Sequence, residues 1–310
     1  MSPVRRFALV FALAACGSAN SGAPVGPSDA GTPDAVGPDA LAPGPDGSAG
    51  TRVRIMAANL TSGTSQGYEQ PGIDILEGLV PDVVLIQEFN YAAGDLRTLV
   101  DTAFGNEFSF YVEPQTGGIP NGIVSRFPIL QSGVWADASV SDRAFVYASI
   151  DVPGPIDLWA VSVHLLTTGA TERSTEATQL LGYIQSNVPA GDFLVVGGDF
   201  NTDTTGEAAL TTLSAAVRVA APFPADQAGN TDSSINRDHP HDWVLSGPSL
   251  DARAAPVSLG ASSFASGLVF DSRVYTPLSD VPPIVAGDSG ATGMQHMAVV
   301  RDFLLSSGGT

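Results

Sequence analysis

The chain has 310 residues, with 13 arginines, no lysine and 32 aspartates and glutamates, for a formal charge of −19. A surface this acidic argues against a constitutive nucleic-acid coat or a basic membrane-surface binder, and a single cysteine excludes a disulfide framework and any cysteine-based zinc site. Hydrophobic residues at 44% and aromatics at 7% suffice for a packed core, while no apolar run reaches the roughly 18 residues needed to cross a bilayer.

Residues 1–16 read MSPVRRFALVFALAAC. Arg5 and Arg6 precede an apolar stretch from Phe7 to Ala15, which is the length of a signal-peptide core and too short for a spanning helix. Leu13-Ala14-Ala15-Cys16 resembles the lipobox of bacterial lipoproteins, with the only cysteine at the position that would carry the lipid. That resemblance implies an exported protein tethered to the bacterial cell envelope by lipid at Cys16. The competing reading is an ordinary signal cleaved after Ala12-Leu13-Ala14. Residues 17–50 follow, and Gly, Ala, Pro, Asp and Ser fill 29 of these 34 positions. Such a segment buries no apolar surface and is expected to act as a disordered spacer of about 30 Å.

Residues 51–310 hold 11 arginines against 28 carboxylates, a formal charge of −17, and show neither repeat nor internal linker, so one domain is expected. Apolar runs rich in Val and Ile predict strands at 53–58, 83–86, 108–112, 122–125, 144–150, 158–163, 193–196, 243–245 and 297–300. Helical patterns fall at 73–80, 92–103, 172–187 and 207–217; in the third, Ala177, Leu180, Leu181 and Ile184 share a face. Helices and direct hairpins are mixed, which fits two sheets packed face to face with helices outside better than a purely parallel sheet. Residues 220–241 and 259–295 read as long irregular stretches, the kind that wall a site. Phe264, Leu268, Val269 and Phe270 in the second read as core rather than as a lipid-touching patch.

Polar groups stand where apolar strands end: Asn59 after IMAA, Gln87 and Glu88 after VVLI, His164 after WAVSV, Asp199 and Asn201 in GGDFN. Desolvating one such group is costly unless it is paired. Four from separate strands point to a convergent site, where a hard divalent cation would balance the carboxylates. Asn59, PDVVLIQE (81–88), GIVSRFPI (122–129), SVHL (162–165), VVGGDFN (195–201), HDWVLS (241–246) and QHMAV (295–299), in this order, resemble the endonuclease/exonuclease/phosphatase superfamily of pancreatic-deoxyribonuclease type. The resemblance implies an α+β fold, a four-layer αββα sandwich with the site at one edge. It further implies a monomeric phosphoesterase in which Glu88 binds Mg²⁺ or Mn²⁺ with Asn59 beside it, and Asp199 orients or deprotonates the attacking water. Asn201, His164 and His296 would hold the phosphate, Asp242 would pair with His296, Glu113 would serve as the carboxylate partner of His164, and Arg126 would face the substrate. Ser125 and Arg126 can equally be structural, and Glu113 can equally lie on solvent.

One departure stands out. The family's final Ser-Asp-His is Met294-Gln295-His296 here, so a neutral amide replaces a carboxylate. Asp288 is the nearest substitute, or a plain turn residue. His239 and His241 flank the Asp242 motif as a transition-metal pair or as solvent-facing loop residues. Members of the superfamily cut DNA, hydrolyse sphingomyelin or act on inositol phosphates, and the shared core residues do not choose among them. The weakened last motif also admits a non-catalytic phosphate- or partner-binding member.

Overall fold

The structure, a computed structural model, describes residues 50–63, 66–114 and 118–306. Cys16, the expected signal peptide and all but the last residue of the expected linker lie outside the described residues. In chain order the elements are β1 (Gly50–Ala58), α1 (Gln70–Leu79), β2 (Val83–Ile86), α2 (Leu96–Ala103), β3 (Ser109–Val112), β4 (Gly122–Ser125) and β5 (Ile129–Trp135). There follow β6 (Phe145–Ile150), β7 (Leu158–His164), α3 (Ala170–Asn187), β8 (Phe193–Asp199), α4 (Ala208–Leu213) and β9 (Asp242–Ser246). The last part holds α5 (Pro248–Asp251), β10 (Ala254–Ala255), β11 (Val257–Leu259), β12 (Ser262–Phe264), β13 (Leu268–Phe270), two short 3-10 turns and β14 (Ala298–Ser306).

Two mixed sheets form. One runs β10-β14-β1-β2-β4-β3 with β13 also on β14, and the other runs β5-β6-β7-β8-β9. Alternation along β1 shows how they stack: Val53, Ile55 and Ala57 pack with Val146, Ala148, Ala160 and Val195 of the second sheet. Met56 and Ala58 turn the other way, onto Ile73, Leu76, Leu99 and Val100 of α1 and α2. On the far side, Val161, Val163, Leu194 and Val196 meet Ala177, Leu180 and Ile184 of α3 and Leu210 and Leu213 of α4. Strands buried on both faces read as continuous apolar runs, which is why they were visible in the sequence. The result is the expected αββα sandwich.

Some boundaries differ from expectation. The second helix starts at Leu96 rather than 92, because Asp95 caps it, its carboxylate accepting from Thr98 N at 2.8 Å. The edge strand β5 was not foreseen, since six of its seven residues are half-buried or exposed and follow no regular alternation. Residues 259–295 are not wholly irregular: β13 pairs with β14, and Leu268, Val269 and Phe270 are buried, as core. β1 and β14 pair along their whole length, Gly50 opposite Ser306 and Ala57 opposite Val299.

Candidate active site

The strand register collects the polar residues at one edge. β7 and β8 run parallel with His164 opposite Asp199, and β9 runs antiparallel to β8 with Asp242 opposite Asp199. In the other sheet β1 and β2 run parallel, so Asn59 and Glu88 emerge together just past the Ala58–Ile86 pair. β14 is antiparallel to β1, which returns His296 to the same edge two residues before the strand begins. The sheets are joined there by Gln87, whose Nε2 donates to Ser162 Oγ at 2.9 Å, while that hydroxyl donates to the Ile86 carbonyl.

Asp199 is the hub. Its Oδ1 accepts from Asn201 N at 2.9 Å and its Oδ2 from Asn59 Nδ2 at 3.1 Å. The Nε2 atoms of His164 and His296 lie 3.4 and 3.3 Å from that same Oδ2. His296 Nδ1 meets Asp242 Oδ2 at 3.0 Å, and Ser233 Oγ donates to that oxygen at 2.7 Å while accepting from Asp242 N. Glu88 takes Thr61 Oγ1 at 2.7 Å and, more weakly, Asn59 Nδ2 and Gln66 Nε2 at 3.4 Å each. Asn201 Nδ2 donates to the Leu165 carbonyl at 2.9 Å. Glu88 and Asn201 both adopt left-handed backbone, φ +50°. For glutamate this conformation is unfavourable, and such residues persist where the surrounding structure over-determines them, often at functional sites.

Burial and charge compete for every proton here. Burial would raise Asp199, but His296, His164 and His241 outweigh it and hold the carboxyl below its usual range. Burial opposes the His296 imidazolium, yet Asp199 and Asp242 keep it protonated up to about 10. Burial drives His164 down to about 4 against the pull of Asp199. Glu88 and Asp242 are both raised, chiefly by burial. Three buried carboxyl groups, Glu88, Asp199 and Asp242, thus face one imidazolium.

The oxygens Asn59 Oδ1 and Asp242 Oδ1 are buried without a hydrogen-bond donor. Unpaired acceptors beside an excess of carboxylates, all oxygen, suit a hard cation such as Mg²⁺ or Mn²⁺. Asp199, Asp242 and His296 also offer ligand atoms within 4.8 Å of one another.

Seven expected residues, Asn59, Glu88, His164, Asp199, Asn201, Asp242 and His296, therefore meet. Two do not. Arg126 is carried to the far end of the sheet, because β4 runs antiparallel to β2 with Ser125 opposite Val83, roughly 16 Å along the strand from Glu88. There it pairs with Asp82 at 2.9 Å and lies over the Phe127 ring. Glu113 is buried rather than solvent-facing, but its oxygens accept from backbone, Asn121 N at 2.6 Å and Ala144 N at 2.7 Å, and not from His164. Asp288 accepts from Val285 N in its own turn, and Gln295 is exposed. His239 and His241 are both half-buried and stack on each other, and the His241 ring lies 5.5 Å from that of His296. Thr61, Ser233 and Arg143 were missed; nothing marks a hydroxyl or a lone arginine in a loop as part of a site until partners are known. Arg143 is buried and donates to the carbonyls of His164 and Leu165 at 2.6 and 3.3 Å.

A sequence profile described as the Endonuclease/Exonuclease/phosphatase family matches residues 71–288. Among curated protein sequences none matches the chain. Among solved structures, an endonuclease/exonuclease/phosphatase from Beutenbergia cavernae is similar at 17% identity and TM-score 0.57, over 82% of this chain and 72% of that one. Truncated Caenorhabditis elegans TDP2 is similar at 16% identity and TM-score 0.54, over 82% and 97%. The human Nocturnin catalytic domain with bound sulfate gives 16% and 0.55, over 81% and 94%.

Proposed function

The chain belongs to the endonuclease/exonuclease/phosphatase family, and on that premise we propose that it is a divalent-metal-dependent hydrolase of phosphodiesters, nuclease-like in chemistry. The meeting of Asn59, His164, His296 and the Asn201 amide on the Asp199 carboxylate, with Asp242 behind His296 and Glu88 beside Asn59, is the observation that carries the reading. Glu88 and Asn59, with its unpaired Oδ1, would hold Mg²⁺ or Mn²⁺, and the bound ion would neutralise charge on the phosphoryl oxygens. The protein's own groups supply the rest. Asp199 orients the attacking water and takes its proton. Asn201 and His164 hold phosphoryl oxygens in place of the water they displace. His296, kept protonated between Asp199 and Asp242, offers a donor where negative charge develops. Asp242 fixes that ring, and Ser233 fixes Asp242.

The same reading has the enzyme lipid-tethered at Cys16 on a bacterial envelope, acting as a monomer. Its substrate is a nucleic acid, a nucleotide or a phospholipid head group. The competing reading, a non-catalytic binder, is favoured by the exposed Gln295 where a carboxylate is usual.

Purified protein with Mg²⁺ or Mn²⁺ is expected to hydrolyse bis(p-nitrophenyl) phosphate. EDTA should abolish turnover, and Glu88→Ala or His296→Ala should lower kcat by about 10²-fold or more. Absence of turnover with any metal would establish the binder instead. Plasmid nicking compared with phosphocholine release from sphingomyelin then separates the substrate classes.

A further inference from the structure

The two oxygens of Glu88, the carboxylate read as a metal ligand, are held unequally. Oε2 accepts from Thr61 Oγ1 at 2.7 Å, within the range of a charge-assisted hydrogen bond. Oε1 receives only Asn59 Nδ2 and Gln66 Nε2, both at 3.4 Å, and the Asn59 amide has a closer partner in Asp199 at 3.1 Å. One oxygen is pinned, and the other is left weakly bonded beside the site. Thr61 is built to do the pinning. It is buried, and the chain is fixed on both sides of it. Leu60 belongs to the same buried cluster as Ile73 and Leu76 of α1. Ser62 N donates to the Gly67 carbonyl at 3.2 Å, and Gly63 N donates to the Thr292 carbonyl at 2.7 Å. The branched Cβ of threonine restricts χ1 as well, so the hydroxyl needs little further ordering to meet the carboxylate. A ligand carboxylate already oriented by an outer partner loses less freedom when it takes up a cation, and its affinity for the cation rises.

We infer that Thr61 is the positioning residue of Glu88: its hydroxyl fixes Oε2 so that Oε1 is presented to the divalent cation. The inference deepens the phosphoesterase reading and rests on it for the ion at Glu88. It concerns affinity for the metal and is read without turnover.

The test is binding of Mn²⁺ alone to the purified protein, followed by the electron paramagnetic resonance of the free ion. The relevant site is the one that Glu88→Ala removes. Thr61→Val keeps the shape of the side chain but not its hydroxyl, and is expected to raise Kd for Mn²⁺ at that site by about 10- to 100-fold. Thr61→Ala removes the same hydroxyl with less bulk and should weaken binding likewise, which keeps the test open if valine does not fold. Thr61→Ser retains the donor and should bind within about threefold of the parent. A Kd that moves less than about twofold in both Thr61→Val and Thr61→Ala overturns the assignment. Serine as weak as valine overturns it too, because the hydroxyl is then not what acts. A parent with no Mn²⁺ site that depends on Glu88 sinks the metal-dependent reading and the inference together, whereas a parent that binds and a valine variant that binds equally well sink the inference alone.

Discussion

Gly198 illustrates how little room separates the two sheets at the site. Its φ is +126°, and a methyl group there would meet the Val163 carbonyl oxygen at 2.3 Å and Gln87 Nε2 at 2.4 Å. Neither neighbour can withdraw freely: Val163 is a strand residue of β7, and Gln87 is tied to Ser162 across the sandwich. Gly198→Ala is therefore expected to cost about 3 kcal/mol or more in unfolding free energy, measured by urea titration, and to lower activity because Asp199 is the next residue. A loss below about 0.5 kcal/mol would mean that the sheets are looser than described. Side chains of this kind were legible in the sequence only in part. GGDFN announced itself because the glycines, carboxylate and amide fall at one strand end. Arg126 and Glu113 misled for a shared reason: sequence order says nothing of which end of a sheet a hairpin returns to, or whether a carboxylate meets a ring or a backbone.

At the scale of elements, α3 is fastened to the site by its buried polar groups rather than by its apolar face alone. Arg173 pairs with Glu207 just before α4 and reaches the Leu166 carbonyl, while the Glu176 carboxyl accepts from Leu166 N at 3.0 and 3.2 Å. Burial, together with Asp137 nearby, raises the Glu176 carboxyl to about 8. The folded protein thus keeps a proton that the unfolded chain releases, so stability drops as pH climbs from about 4.5 through about 8. Glu176→Gln, neutral at every pH and able to make similar hydrogen bonds, should flatten that decline and gain on the order of 2 kcal/mol at pH 9. Thermal denaturation at pH 5 and pH 9 checks it, and an equal effect at both would refute it. The strands of both central layers could be anticipated because burial on two faces leaves an unbroken apolar run. The edge strand β5 could not, since three of its seven residues face water and the run dissolves into an ordinary polar mixture.

For the whole molecule, the decisive quantity is where the positive charge goes. Among the described residues, ten arginines lie within ion-pair distance of a carboxylate: Arg52, Arg54, Arg97, Arg126, Arg143, Arg173, Arg218, Arg237, Arg273 and Arg301. Committed to folding, they are poorly placed to grip successive phosphates, and the folded part carries a net charge of −17. An anionic diester should then bind better, not worse, as salt rises from about 50 to 200 mM, because screening relieves repulsion by the protein's field. KM measured across that range should fall. A steep rise instead, of the sort produced by counterion release, would point to a basic track on the surface.

The long pairing of β1 with β14 has a practical side. Gly50 and Ser306 sit together at one end of that ribbon, and the Asp199 site lies at the other, roughly 25 Å away. A protein fixed at that end to a bead, a sensor chip or a fused partner would present the site outward, so immobilisation should leave turnover intact.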